Sequence, residues 1–219
     1  MQEAAVFASE SVGWPASRFV DTGTAFVVRE LRAVHYREAR YGEELRTRTC
    51  IAEARRGILL RRETWVGDVM RASVQWAHVD AGGAPVRAGP ALLDAFTAEE
   101  APEVELPSFD PCPAEALPRF ELEPWYTEMD PLGHTNHPRY VDWADEALAR
   151  ALAARGEDPL QVVPIAEQLR FRGSARAGDA VNVQLTLVGG YGDVDVYDVH
   201  ITARGVLACE GRIWRSVPG

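Results

Sequence analysis

The segment from Tyr126 to Tyr140, YTEMDPLGHTNHPRY, holds an acid, a glycine turn and two imidazoles directly ahead of an Ala-rich amphipathic stretch. That order places Asp130, His134, Asn136 and His137 at the start of a helix. A helix start presents unpaired N–H groups and a partial positive charge, and both can stabilise the oxyanion that forms when a carbonyl is attacked. The arrangement points to acyl chemistry.

Each of these side chains also has a purely structural reading. Asp130-Pro131 is common turn punctuation, and Asn136 suits the cap of the following helix. His134 and His137, three apart and close to Glu128 and Asp130, have the composition of a His/carboxylate metal site, but no third firm ligand at typical spacing accompanies them. Tyr126 and Trp125 end a predicted strand, where aromatic residues pack. Glu146 pairs naturally with Arg150 one helical turn on.

The elements that must carry this segment come in two copies. EAAVFASESVG (3–13) lines up with EALARALAARG (146–156), each a predicted helix stopped by glycine. After each come alternating runs: TRTCIAEA, ILLRRETWV and RASVQWAHVD in the first half, and VNVQLTLV, VDVYDVHITA and GVLACEGRIWRSV in the second. Period-two alternation predicts antiparallel strands with one buried face. In the second helix Tyr140, Val141, Ala144, Leu148, Ala151 and Leu152 form one stripe behind Pro138. Gly82-Gly83 and Gly189-Gly190 read as hairpin turns. Residues 98–118, acidic and proline-rich, read as a linker. The expected organisation is residues 1–97, linker 98–118, and residues 119–219. In that register the counterpart of Asp130 lies upstream of Met1, so the first half lacks its opening strand and its own acidic loop. Either that copy is absent or the chain begins inside a longer protein.

Composition excludes several function classes. With 219 residues and 47% hydrophobic residues the chain can bury a sizeable core. A net charge of −10 argues against nucleic acid and against an anionic membrane surface. No apolar run is long enough to span a bilayer, and the first segment lacks signal-peptide character, so the expected location is cytoplasmic. Cys50, Cys112 and Cys209 are too few and too scattered for a disulfide framework or a zinc cluster. Every basic side chain except histidine is arginine, which excludes lysine Schiff-base chemistry and a Walker-type lysine.

The motif D-x-x-G-H-x-N-x-x-x-Y followed by W-x-x-E-A, with a Gly-Asp turn (Gly178-Asp179) further on, resembles the hotdog-fold thioesterases. Two tandem copies joined by a linker resemble the double-hotdog acyl-ACP thioesterases, and the first-half strings FVVREL, GEEL, TRTC, RRETWV and Trp76 to Arg87 fit the first hotdog of that group. The resemblance implies an α+β tandem hotdog, each half a long helix on a curved antiparallel sheet, with the sheets joined edge to edge. It implies a non-catalytic first half, a catalytic second half and a tunnel for the acyl chain between them. It makes Asp130 the nucleophile or the general base for water, with His134, His137, Asn136 and Tyr126 as further site residues. The chain departs from the acyl-ACP branch at Leu132, where an asparagine is expected, and at Thr135, where valine is. The resemblance also expects an acid on the next central strand, where the matching position is either Glu167 or the non-acidic Gln168.

The activity so implied is hydrolysis of an acyl thioester, acyl-CoA or acyl-ACP, to free acid and thiol. No cofactor is implied beyond the coenzyme A or phosphopantetheine of the substrate itself. Arg170, Arg172 and Arg176, or Arg55, Arg56, Arg61 and Arg62, are candidates to meet coenzyme A phosphates, or else the outward faces of strands. Partners expected are a small-molecule acyl thioester or an acyl carrier protein, and a second copy in a homodimer. An acidic carrier would be repelled by a chain of charge −10 unless its arginines gather on one face. The rival readings are a non-catalytic acyl-binding protein of a fatty acid or polyketide pathway and a hotdog dehydratase.

Overall fold

A computed structural model describes residues 2–217; Met1, Pro218 and Gly219, which the expected halves include, lie outside the described residues. The chain divides into two compact units, Met1–Glu105 and Leu106–Gly219.

In the first unit, helices α1 (Gln2–Ser11) and α2 (Ala16–Thr22) precede strands β1 (Thr24–His35), β2 (Thr47–Arg55), β3 (Leu59–Val66) and β4 (Met70–Asp80), and a short helix α3 (Pro90–Ala95) follows. The strands pair antiparallel in the order β2-β3-β4-β1. Where one long helix was expected there are two short ones. Gly13 turns into the left-handed region at φ 78°, and Pro15, which has no N–H to give, starts α2 afresh. The break drops Trp14 into a core cluster with Ile51, Leu60, Leu92 and Phe96.

On the other side of this sheet Glu63 is fully buried. Its carboxylate accepts from the Ser73 hydroxyl and pairs with Arg61 and Arg71. The stretch that follows Thr97 is fastened here: the Glu99 N–H donates to the Ile51 carbonyl at 2.8 Å, and the Val104 N–H to Ser73 Oγ at 2.8 Å. Arg61 donates to the Ala101 carbonyl and Arg71 to that of Pro102. Ala98 bridges Ile51 along the β2 edge. Among the described residues no strand precedes α1, so this strap occupies the edge that an opening strand would cover.

In the second unit, β5 (Asp110–Ala116) and β6 (Phe120–Leu122) precede α4 (Pro138–Ala154), and β7 (Val163–Phe171), β8 (Val181–Tyr191), β9 (Val194–Ala203) and β10 (Val206–Ser216) follow. The order β7-β10-β9-β8 repeats that of the first unit, with β5 and β6 added along the free side of β8. Residues Asp110–Ala116, inside the stretch expected as a linker, are therefore an edge strand. Its side chains are all exposed and it contains two prolines, which an edge tolerates, so no apolar alternation marks it.

Helix α4 buries Tyr140, Trp143, Ala144, Ala147, Leu148, Ala151 and Leu152. This is the expected stripe, except that Trp143 and Ala147 lie in it and Val141 is only half-buried. Each large apolar side chain so buried is worth about 1.5–3 kcal/mol. The helix stops at Gly156, φ 81°, as expected. Among the described residues no helix is long and apolar enough to cross a membrane.

Gly82 and Gly83 lie in a turn after β4, but Gly189 and Gly190 lie within β8, and the turn to β9 falls at Gly192, φ 57°. The pair is glycine because neighbouring backbone comes too close: a Cβ on Gly189 would stand 2.3 Å from the Asp110 carbonyl, and one on Gly190 2.5 Å from that of Val194. Gly189→Ala is thus expected to push β5 off the sheet and cost about 1–3 kcal/mol of stability, read as a lower urea midpoint.

Candidate active site

The reactive segment is built as a miniature hairpin. Met129 bridges Thr135, the Asp130 N–H donates to the His134 carbonyl at 2.7 Å, and the Gly133 N–H donates back to the Asp130 carbonyl at 2.9 Å. Pro131 presets the first turn position, and Gly133 supplies the left-handed residue, φ 72°, of a three-residue loop. Asp130 Oδ1 lies inside this turn and accepts from the N–H groups of Leu132, 2.9 Å, and His134, 3.1 Å. Asp130 Oδ2 makes no hydrogen bond among the described residues. The structure thus fixes one carboxylate oxygen and leaves the other open.

Three contacts tie the hairpin down. The Asn136 N–H donates to the Glu128 carbonyl at 2.9 Å, and the Thr135 N–H to the Ala175 carbonyl at 2.8 Å. The Ala175 N–H in turn donates to the Tyr140 hydroxyl at 2.8 Å. Burial raises the Tyr140 pKa to about 12, so the phenol stays neutral. Thr135 Oγ1 is buried with no hydrogen-bond partner.

The imidazoles have different surroundings. His134 Nε2 stands 3.4 Å from Arg176 Nη2, and since a guanidinium only donates, Nε2 is the acceptor in this contact. His137 is the N-cap of α4, its ring edge-on to Phe171 with centroids 5.9 Å apart. Tyr140 packs on both Phe171 and Trp143 beside it. Burial pulls the His137 pKa down to about 4, so this ring is neutral at physiological pH.

Asn136 does not cap the helix with its side chain. The helix begins at His137 with no side-chain cap, and the Asn136 amide makes no hydrogen bond among the described residues. The helix start is also poorer in spare donors than expected: Pro138 has none, and the N–H groups of Arg139 and Tyr140 go to the carbonyls of Asn136, 3.0 Å, and His137, 3.3 Å. Tyr126 opens a one-turn helix (Tyr126–Glu128) and is 85% exposed, its side chain hydrogen-bonded to none of the other four. Asp130 and His134 are thus brought together across the turn, Asn136 and His137 follow at the helix start, and Tyr126 stands apart.

Glu167 is held elsewhere. It pairs at 3.0 Å with Arg215, which is 1% exposed and also grips Asp145 through two nitrogens at 2.7 and 3.2 Å. Among the described residues no three His, Cys, Asp or Glu side chains gather as a metal site. Ala175 and Tyr140 are parts of the site that the sequence left unassigned, while Arg176, a candidate to meet coenzyme A phosphates, stands beside His134. Tyr140 was visible as the last position of the motif, whereas Ala175 acts only through its backbone.

Residues 132–210 match the family model of the Thioesterase superfamily. The match takes in His134, Asn136 and His137 and begins two residues past Asp130. Among solved structures, the chain is similar to a putative oleoyl thioesterase from Lactobacillus plantarum, with 19% identity over 98% of this chain and 85% of that one, TM-score 0.80. The 12:0-ACP thioesterase from Umbellularia californica gives 17% identity over 98% and 86%, TM-score 0.73. An acyl-ACP thioesterase from Bacteroides thetaiotaomicron gives 16% identity over 96% and 84%, TM-score 0.72. The chain is a double hotdog. Both hotdog units show the same four-strand order, and among the described residues only the second carries the acid-and-imidazole hairpin. No curated protein sequence matches the chain.

A histidine whose folded pKa lies below its unfolded value of about 6.5 contributes stability that is full above that value and lost as pH falls toward the folded pKa. For His137 the window runs from pH 6.5 down to about 4. His137→Phe, which keeps the ring contact with Phe171, is expected to flatten the stability profile across that window by up to about 1.4 kcal/mol per pH unit. Urea midpoints at a series of pH values measure it.

Proposed function

We propose that the protein hydrolyses an acyl thioester carried on a phosphopantetheine arm, with coenzyme A and an acyl carrier protein as the two candidate carriers and no cofactor beyond the substrate. The observation that carries this reading is the Asp130 carboxylate, held by two backbone N–H groups through one oxygen with the other oxygen open, at the edge of the thioesterase-superfamily match.

Asp130 Oδ2 takes the proton of a water that attacks the thioester carbonyl, or attacks that carbonyl itself, expelling the thiolate and leaving an anhydride that water then cleaves. The backbone grip on Oδ1 sets the direction of Oδ2 before substrate arrives. With the N–H groups of Arg139 and Tyr140 already engaged, the Asn136 amide is the donor best suited to the developing oxyanion. The proton that Asp130 takes from water passes on to the leaving thiolate, and the His134 imidazole, across the same turn, orients the attacking water. His137, neutral and packed against Phe171, shapes the site rather than supplying charge.

A second reading has its own support. Since Asp130 Oδ1 serves the turn, the aspartate would be kept by a non-catalytic acyl-binding protein as well.

The two readings part on one substitution. Asparagine keeps an oxygen for the N–H groups of Leu132 and His134 but cannot act as a base. Asp130→Asn is therefore expected to melt within a few degrees of the wild type and to lower kcat for thiol release by at least about a hundredfold. The assay uses acyl-CoA and acyl-carrier substrates of graded chain length. Comparable rates in the two proteins would sink the Asp130 mechanism; no release by either, with acyl thioester still raising the melting temperature, would favour the binding reading.

A further inference from the structure

Arg176 is exposed, and among the described residues no carboxylate pairs with its guanidinium. Other arginines nearby do carry acids: Arg139 holds Asp142, Arg172 holds Glu210 and Arg204 holds Asp179. In a chain with 33 acidic residues against 23 basic ones, an arginine without an acid stands out, and the side-chain contact that Arg176 keeps is with an imidazole. Its Nη2 donates to His134 Nε2 at 3.4 Å.

The backbone that carries this guanidinium is braced on both sides. The Arg176 N–H donates to Asp179 Oδ2 at 2.9 Å, the Asp179 N–H donates back to the Arg176 carbonyl at 3.0 Å, and Gly178 closes the turn at φ 79°. The Gly178 N–H donates to the Pro124 carbonyl at 3.3 Å. On the other side Ala175 is fully buried, its N–H held by the Tyr140 hydroxyl and its carbonyl accepting from the Thr135 N–H, both at 2.8 Å. Two consecutive residues thus grip the hairpin twice, Ala175 by backbone at Thr135 and Arg176 by side chain at His134.

The two grips do different things. The backbone of His134 is already set by the hairpin, since its carbonyl accepts from the Asp130 N–H and its N–H donates to Asp130 Oδ1. Those bonds leave the ring free to rotate about its side-chain torsions. The Arg176 contact is the hydrogen bond that the ring makes among the described residues, and a guanidinium has no lone pair to offer, so the nitrogen facing it has to accept.

We propose that Arg176 is a positioning residue of the site, docking the His134 ring by Nε2 so that Nδ1, carrying the ring proton, meets the attacking water. Nδ1–H then donates to the water oxygen while Asp130 Oδ2 takes a proton from the same water, and neither His134 nor Arg176 changes its own proton count in the step. The kinetic consequence rests on the hydrolysis proposed above; the docking of the ring does not. A contact from Arg176 to a coenzyme A phosphate would act otherwise, on binding alone and only for substrates that carry the nucleotide.

The test compares the full-length wild type with Arg176→Met, which removes the donor at an exposed position. Nitrogen NMR of histidine labelled in its ring, with His134 assigned by the signal lost in His134→Gln, is read at about pH 8, where an ordinary imidazole is neutral. The wild type is expected to carry the His134 proton on Nδ1, and Arg176→Met to move it to Nε2, the form a free histidine side chain favours. Kinetics use matched acyl-CoA and acyl-pantetheine thioesters. Arg176→Met is expected to lower kcat roughly ten- to hundredfold for both, by the same factor and with KM little changed, as misplacement of a water-orienting group does. The proposal fails if the wild-type ring carries its proton on Nε2, or if the tautomer is the same in the two proteins. It fails also if kcat is unchanged and KM rises for the CoA thioester alone, which would make Arg176 a nucleotide contact. Should the wild type turn over neither thioester, the hydrolysis reading falls, and the NMR comparison still decides whether Arg176 docks His134.

Discussion

The Arg215 guanidinium is the clasp on which the second unit depends. It sits on β10 and is almost wholly enclosed, with Asp145 of α4 on one side, Glu167 of β7 on another, and the carbonyls of Ala166 and Trp214 filling its remaining donors. Helix and sheet are otherwise joined by non-directional apolar contact, which sets how much is buried but not where the helix stands along its own axis. A charged hydrogen-bonded fork does set that position. Removing one partner from such a group typically costs about 3–5 kcal/mol because the others are left buried and unpaired. The placement of the α4 N-terminus, and hence of the hairpin mounted on it, follows from this anchor at Asp145 and from the Tyr140 hydroxyl held by Ala175.

That division of labour explains which parts were legible in the sequence. The strands β2, β3, β4, β8, β9 and β10 show as alternating runs because one face of each sheet carries the apolar core, and α4 shows because its buried positions recur with helical spacing. β5 shows nothing of the kind, since an edge strand with every side chain exposed and two prolines reads as a linker. Gly189-Gly190 was misread for a related reason: glycine marks both tight turns and close backbone approach, and only the position of Asp110 and Val194 decides between them. The first helix does stop at Gly13, as its sequence indicates, but the second short helix beyond it, α2, carries no such periodic signal.

The candidate site follows the same logic. Its local part, the Asp130 to His134 hairpin, is written in adjacent residues, proline first and glycine third in the loop. Its non-local part is not. Ala175 contributes a carbonyl and an N–H, groups that every residue but proline possesses, so no side-chain signature announces it. Glu167 illustrates the converse error, in which an acid at a plausible sequence position is already spent on a structural partner, Arg215, more than forty residues away. The Asn136 amide has both a capping and a site reading in the sequence, and because the helix starts one residue later, at His137, the capping reading falls away.

The strap from Ala98 to Val104 means that the first unit carries its own protection against strand addition. An unpaired sheet edge is a template for other chains, and here Ile51 on the β2 edge is occupied by the Ala98 bridge and the Glu99 N–H. Displacing the strap, which belongs to the first unit, would bare that edge together with the Ser73 hydroxyl that Val104 occupies. The damage would register as self-association of the first unit, in a protein whose second unit still held its hairpin in place.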